Sequence, residues 1–211
     1  MNKKIIGLIL VIIGVAAVCA GVFFITRGNT DDALNQQTNK GVNMKDGKNL
    51  VIYFSQSGNT EKFANIIHEQ VGGDIKKIET VKTYPEVYDD LADAAKAEKD
   101  NDERPEYKDL NLNLDDYDNI FVGYPMWWYT LPMVMYKFFE DYDFSGKNLI
   151  PFNTHEGSYD GGTWDTIKSW EPNANVLDGL AIRGGDIGDG PNAKPTDQTE
   201  TIKKWLNEIG F

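Results

Sequence analysis

Three short stretches of this chain carry the side chains best suited to gripping a ligand. Ser55-Gln56-Ser57-Gly58-Asn59-Thr60 offers hydroxyls, amides and one glycine, with no positive charge. Pro125-Met126-Trp127-Trp128-Tyr129-Thr130 offers aromatic rings, and Thr154-His155-Glu156-Gly157-Ser158 runs on into Tyr159-Asp160-Gly161-Gly162. The first can hold a phosphate through backbone N–H groups, the hydroxyls of Ser55, Ser57 and Thr60 and the Asn59 amide, with Gly58 letting the backbone come close. It lacks the lysine of a nucleoside-triphosphate loop and the second glycine of a dinucleotide fingerprint. The same residue types also cap helices, so by itself the hexapeptide leaves cap and phosphate both open. In the second stretch, two tryptophans and a tyrosine in succession cannot all face a core, because adjacent side chains diverge. At least one ring is expected at the surface, where a planar ligand can stack on it.

The segments between these stretches have to position them. Leu50 to Phe54 is a continuous apolar run of the kind buried on both faces of a sheet. Phe63, Ile66, Ile67 and Val71 then recur at helical spacing and stop at Gly72-Gly73. Asp74 to Val81 reads as a second strand, Tyr88 to Lys99 as an acidic helix with Leu91, Ala94 and Ala95, and Asn119 to Tyr124 as a third strand. A helix opens at Met133 behind Pro132. Strand, helix, strand and helix follow over Asn148–Asn153, Thr163–Trp170, Ala174–Ile182 and Thr196–Ile209. Repeats of this length predict a parallel sheet covered on both sides, a three-layer α/β/α doubly wound domain. Ligands in such sheets sit beyond the carboxyl ends of the strands. All three stretches leave those ends.

The first residues belong to something else. Behind Lys3 and Lys4, Ile5 to Ile25 is an unbroken apolar run, about the length needed to cross a bilayer as a helix. We read residues 1–27 as a transmembrane anchor, with a cleaved signal segment as the competing reading, since the run exceeds the usual signal core of about 7–15 residues. Cys19, the single cysteine, leaves a lipid-modified terminus as a third option and excludes any intramolecular disulfide. The two lysines favour a cytoplasmic amino end, which places the soluble part extracytoplasmically. Residues 28–47 are polar and nearly free of large apolar side chains, a flexible tether, and 48–211 form the domain. Of 21 bases and 33 acids, the part from Lys48 onward keeps 16 and 30, a net charge of −14. That charge argues against nucleic acid as a partner and favours a basic protein surface. The run Asp89, Asp90, Asp93, Glu98, Asp100, Asp102 and Glu103 reads as a solvated helix face.

Taken together, strand one with SQSGNT, then TYPEVYDDLADAAKAEKDNDERPE, VGYPMWWYTLP and YDFSGKNLIPFNTHEGSYDGG resemble the flavodoxin-like proteins, in particular a bacterial subgroup with a GYP-x-WW motif. The resemblance covers most of Lys48 to Phe211. It implies a five-stranded parallel sheet of order 2-1-3-4-5 and noncovalently bound flavin mononucleotide (FMN). Carried over by residue, it implies a phosphate loop at Ser55, Gln56, Ser57, Gly58, Asn59 and Thr60. Pro125, Met126, Trp127, Trp128 and Tyr129 would lie against the flavin ring. Thr154, His155, Glu156, Gly157 and Ser158 would border its other side and pyrimidine edge. Glu156 departs from relatives that have glycine there; its carboxylate either disfavours an anionic reduced flavin or points to solvent.

Such chemistry needs no catalytic triad, because the flavin carries the electrons and the protein tunes it. The acidic shell, with no base in the three loops, is expected to lower the flavin potential. A membrane-tethered electron carrier with a redox partner protein is the leading expectation, and a quinone reductase using a nicotinamide donor is the alternative. His155 suits a proton donor in the second, and a hydrogen-bonded loop residue in either. A phosphoacceptor receiver domain of the same topology is excluded, since Ser55 and Gln56 stand where it needs acids.

Overall fold

The structure, a computed structural model, describes residues 44–184 and 197–211. The expected transmembrane segment at 1–27, and the tether up to residue 43, lie outside the described residues. Among those described, no helix is long and apolar enough to cross a membrane. The described chain starts before Lys48: Met44 is buried, and its carbonyl accepts a 2.9 Å hydrogen bond from Asn119 Nδ2.

In chain order the elements are β1 (Asn49–Phe54), α1 (Asn59–Val71), β2 (Asp74–Ile78), α2 (Tyr88–Asp100), β3 (Asn119–Pro125), α3 (Met133–Asp141), β4 (Asn148–His155), α4 (Thr163–Trp170), β5 (Asn175–Val176), β6 (Leu180–Arg183) and α5 (Thr199–Ile209). The strands are parallel in the order β2-β1-β3-β4-β5, with β6 also on β4. This is the 2-1-3-4-5 order, its fifth strand split in two. The split comes from one extra residue: β4 advances three positions from Leu149 to Phe152 while the partner advances four, from Val176 to Leu180. The bulge is packed tightly, since a Cβ on Gly179 would lie 2.6 Å from the Trp164 ring and 2.7 Å from the Pro151 carbonyl. Trp205 Nε1 donates to the bulged Asp178 carbonyl. The second strand is shorter than its sequence suggests. It stops at Ile78 because residues 79–81 turn away to pair with the returning chain, Val81 N–H donating to the Glu106 carbonyl.

Strand alternation builds two cores. Leu50, Ile52, Phe54, Ile120, Val122 and Tyr124 face α3 and α4, where Val134, Phe138 and Ile167 cover them. Val51, Tyr53, Phe121, Ile150 and Phe152 face α1 and α5, under Phe63, Ile67, Ile202 and Leu206. Each such fully buried side chain contributes about 1.5–3 kcal/mol relative to exposure. Sheet residues buried from both sides hold the strand ends, and so the loops leaving them, at fixed positions.

Of the acidic run on α2 and the turn after it, one member is not solvated. Glu98 is buried and accepts a 2.8 Å hydrogen bond from Tyr84 Oη, and burial raises its pKa. A half-buried carboxyl gives a test. At the end of α4, burial and the neighbouring Asp143 push Glu171 up to about 7. The native state then keeps a proton that the unfolded chain has released, so the contribution of this group to stability falls as pH rises toward the folded value. Glu171→Gln is expected to stabilise the protein by about 1 kcal/mol near pH 8, the full shift being discounted for solvent screening, and to change little near pH 5. Urea midpoints of both proteins at the two pH values check this; an equal difference at both would rule it out.

Candidate functional site

The hexapeptide after β1 does not behave as a helix cap. α1 starts behind Gly58, which has φ 88°, and no side chain caps its end. The first α1 hydrogen bond runs from Lys62 N–H to the Gly58 carbonyl at 3.0 Å, so the N–H groups of the first turn and the positive end of the helix dipole face outward. Ser55 Oγ is buried without a hydrogen-bond partner. A Cβ at Gly58 would meet nothing within 4 Å, so there is open space over the turn. Thr60 has turned inward: it is buried, and its hydroxyl pairs with Thr154 Oγ at 2.9 Å. That bond ties α1 to the end of β4.

The aromatic loop is a tight reversal. Trp127 and Thr130 exchange both backbone hydrogen bonds, at 3.0 and 3.1 Å, and the two residues between them, Trp128 and Tyr129, have φ of 51° and 63°. This left-handed pair, normal for Asn-Gly, costs an L-residue about 1–2 kcal/mol each. It also sorts the rings. Trp127 turns inward and meets Phe54 and Tyr84 edge-on, with centroids 5.3 and 5.0 Å away, whereas Trp128 and Tyr129 are 40% and 75% exposed. α2 holds the strained turn in place. Trp128 Nε1 donates to the Ala92 carbonyl at 2.9 Å, Lys99 Nζ donates to the Trp128 carbonyl at 3.0 Å, and Lys96 Nζ lies 5.8 Å from the indole ring.

The loop after β4 is fixed from below. Asn153 Nδ2 donates to the Tyr159 carbonyl, the Tyr124 hydroxyl meets Thr163 at the head of α4, and Met126 N–H donates to the Thr154 carbonyl, linking this loop to the aromatic one. His155 is buried and its ring meets Tyr159 in a tilted contact with centroids 5.0 Å apart. Burial, and next the Arg183 charge, push its pKa below the ordinary histidine value, with Asp160 opposing.

Between these loops lies a cleft of about 430 Å³. Gln56, Ser57 and Asn59 line one part, Pro125, Met126, Trp127, Trp128 and Tyr129 another, and Thr154, His155, Glu156, Gly157 and Ser158 a third. Ser55, Gly58 and Thr60 stand behind that wall. The sequence did not suggest the remaining lining: Tyr88, Leu91, Ala92 and Ala95 from α2, and Gly184 after β6. The apolar spacing of Leu91, Ala92 and Ala95 on an otherwise acidic helix was the available signal. Gly184 follows from the strand-end rule applied to the fifth strand, where a Cβ would lie 3.1 Å from the Asn59 amide. Glu156 is exposed on the wall. A base that the three loops lack is supplied from the sheet, since Arg183 pairs with His155 in register.

A family model described as flavodoxin matches residues 48–209. The chain belongs to the flavodoxin family. Solved structures carry the same fold. A candidate flavoprotein from Bacteroides eggerthii is 28% identical, with a TM-score of 0.64 over 78% of this chain and 99% of that one. One from Bacteroides uniformis is 30% identical, with a TM-score of 0.65 over 76% and 98%. A flavoprotein from Lactobacillus acidophilus, solved in complex with FMN, is 19% identical, with a TM-score of 0.57 over 74% and 99%. No curated protein matches in sequence.

In this flavodoxin domain the strained turn is itself testable. Tyr129→Gly removes a side chain from a left-handed position and is expected to raise stability by about 0.5–1 kcal/mol. It should also weaken ligand binding, because a ring on the cleft wall is lost. Unfolding midpoints and ligand titration of the same variant check both; a destabilised variant would refute the strain argument.

Proposed function

We propose that the domain binds FMN noncovalently in this cleft and passes electrons between protein partners, held at a membrane by the N-terminal segment. The observation that carries the reading is the convergence on one cleft of an uncapped helix end, a strained aromatic turn and the His155–Ser158 loop. The donors fit a phosphate monoester: outward N–H groups, the Ser57 hydroxyl, the Asn59 amide and the unpartnered Ser55 hydroxyl supply it without a cation. The aromatic turn and the opposite loop fit a flat heteroaromatic ring between them, and the cleft volume is that of an ordinary small-molecule site.

FMN, when bound, supplies the electron-carrying chemistry. The chain's own residues orient and shield it. Trp128 and Tyr129 offer ring surface, α2 supplies an apolar wall of Leu91, Ala92 and Ala95, and the buried Thr60–Thr154 pair keeps two walls together. The net charge of −14 from Lys48 onward supports a basic redox partner. The apolar Ile5–Ile25 run behind Lys3 and Lys4 supports an anchored protein with an extracytoplasmic domain. The purified full-length chain should be yellow, release FMN on denaturation, and take it up again stoichiometrically. Failure to bind added FMN would overturn the reading. Nicotinamide oxidation with a quinone acceptor would turn it toward a reductase.

A further inference from the structure

Gly157 N–H donates to His155 Nδ1 at 2.9 Å. A backbone N–H can only donate, so Nδ1 must carry a lone pair and the ring proton of the neutral imidazole must sit on Nε2. The contact is built into the loop. Gly157 has φ 133°, a conformation L side chains rarely adopt, so the chain leaves the loop in a direction open to glycine while its N–H stays on the ring two residues earlier. The His155 carbonyl is held as well, accepting from Gly184 N–H at 2.9 Å.

The other ring nitrogen is left free for a ligand. His155 lines the cleft. Among the described residues Nε2 has no hydrogen-bond partner, and it is absent from the buried unpartnered atoms, which do include Ser55 Oγ and two Arg183 nitrogens. Nε2–H is therefore unpaired and not sealed in the core, on a residue that lines the cleft. A proton added at Nδ1 would set two N–H groups against each other. Arg183, beside His155 on β6, disfavours a second positive charge, while Asp160 favours it and Glu156 is the next residue in the chain.

We propose that His155 is a cofactor-binding residue of one fixed form, a neutral imidazole that presents Nε2–H as a donor to an acceptor atom of the heteroaromatic ring, with Gly157 and Arg183 as positioning residues that keep the proton there. This rests on the FMN reading. It assigns to the histidine a hydrogen bond rather than proton transfer, since the ring's second nitrogen is committed to the loop.

Two substitutions separate the two ring nitrogens. His155→Asn retains an acceptor near Nδ1 for Gly157 and loses the Nε2 donor; His155→Gln keeps a donor near Nε2 and loses the acceptor. On the full-length chain in detergent, His155→Asn is expected to bind FMN about tenfold more weakly, the effect of losing one donor to a ligand acceptor. His155→Gln should retain more affinity than His155→Asn. Long-range proton–nitrogen NMR of the FMN-free chain should give the Nε2–H tautomer, unchanged from about pH 8 to about pH 6, where an ordinary histidine begins to charge. Arg183→Gln should bring its titration to higher pH. An Nδ1–H tautomer, an imidazolium at neutral pH, or His155→Asn binding FMN as well as the unaltered chain would each overturn the assignment while leaving FMN binding intact. If the unaltered chain binds no FMN, the cofactor reading and the ligand role fall together.

Discussion

Replacing Ser57 with Asp is expected to weaken FMN binding by about a hundredfold or more, with little change in stability. Ser57 is exposed on the cleft wall and makes no hydrogen bond among the described residues. The fold therefore has little to lose from its replacement. A carboxylate a few ångströms from a phosphate dianion costs about 3 kcal/mol at an intermediate effective dielectric, and about 2.7 kcal/mol is already a hundredfold in affinity. Among the described residues that line the cleft none is lysine or arginine, so the wall itself holds no cation to absorb the added charge. Ser57→Asn, isosteric with the Asp variant and uncharged, should bind within about tenfold of the original, since at most one hydrogen bond changes. The measurement is FMN fluorescence quenching at two salt concentrations, with the Asp penalty shrinking at the higher one. Equal affinity of the Asp and Asn variants would place the phosphate elsewhere.

The second large effect lies in the sheet. Phe152→Ala is expected to destabilise the domain by about 3–5 kcal/mol, the cost of a deleted buried aromatic plus the cavity it leaves. Phe152 is fully buried on β4 and directly opposite Gly123 on β3. Its ring lies over that glycine so closely that a Cβ there would sit 2.2 Å from Cζ. The ring occupies the space a side chain on β3 would have taken. Gly123→Ala alone should therefore destabilise by about 1–3 kcal/mol through overpacking. In the Phe152→Ala background the same change should cost little or partly refill the cavity, giving a coupling energy above about 0.5 kcal/mol. Urea unfolding of the four proteins measures the cycle. Additive effects would mean that the ring and the glycine do not share that space.

Much of this was legible in local sequence. Leu50–Phe54 had to be an interior strand because no face of it is polar, and Gly72-Gly73 had to end the helix that follows that strand. The α4 boundaries, Thr163 to Trp170, follow from Gly161-Gly162 before them and Pro172 after. A parallel sheet then sends every strand's carboxyl end to one edge, which is why three loops far apart in the chain could be assigned to one site. These conclusions depend on periodicity and on residues whose backbone preferences are intrinsic.

The remainder depended on contacts between distant segments. Whether SQSGNT caps its helix or leaves the end open was undecidable from residue type; Thr60 reaching Thr154 across the sheet, and Gly58 taking the cap position, decided it. The second strand ended early because residues 79–81 found a partner about twenty-five positions later in the chain. Trp127 and Trp128 are identical by composition, and only the left-handed turn, pinned by Ala92 and Lys99 of α2, packs one edge-on against the core at the cleft wall and leaves the other exposed. Arg183 is far from His155 in sequence, so its charge comes beside the site only once β6 pairs with β4. By itself the sequence determined the strands, the helices and the edge at which a ligand must sit, because those follow from local preference and alternation. The tertiary structure alone decided which side chains line the cleft and which are drawn into the core, because burial, register and side-chain pairing are properties of neighbours that the chain brings together only on folding.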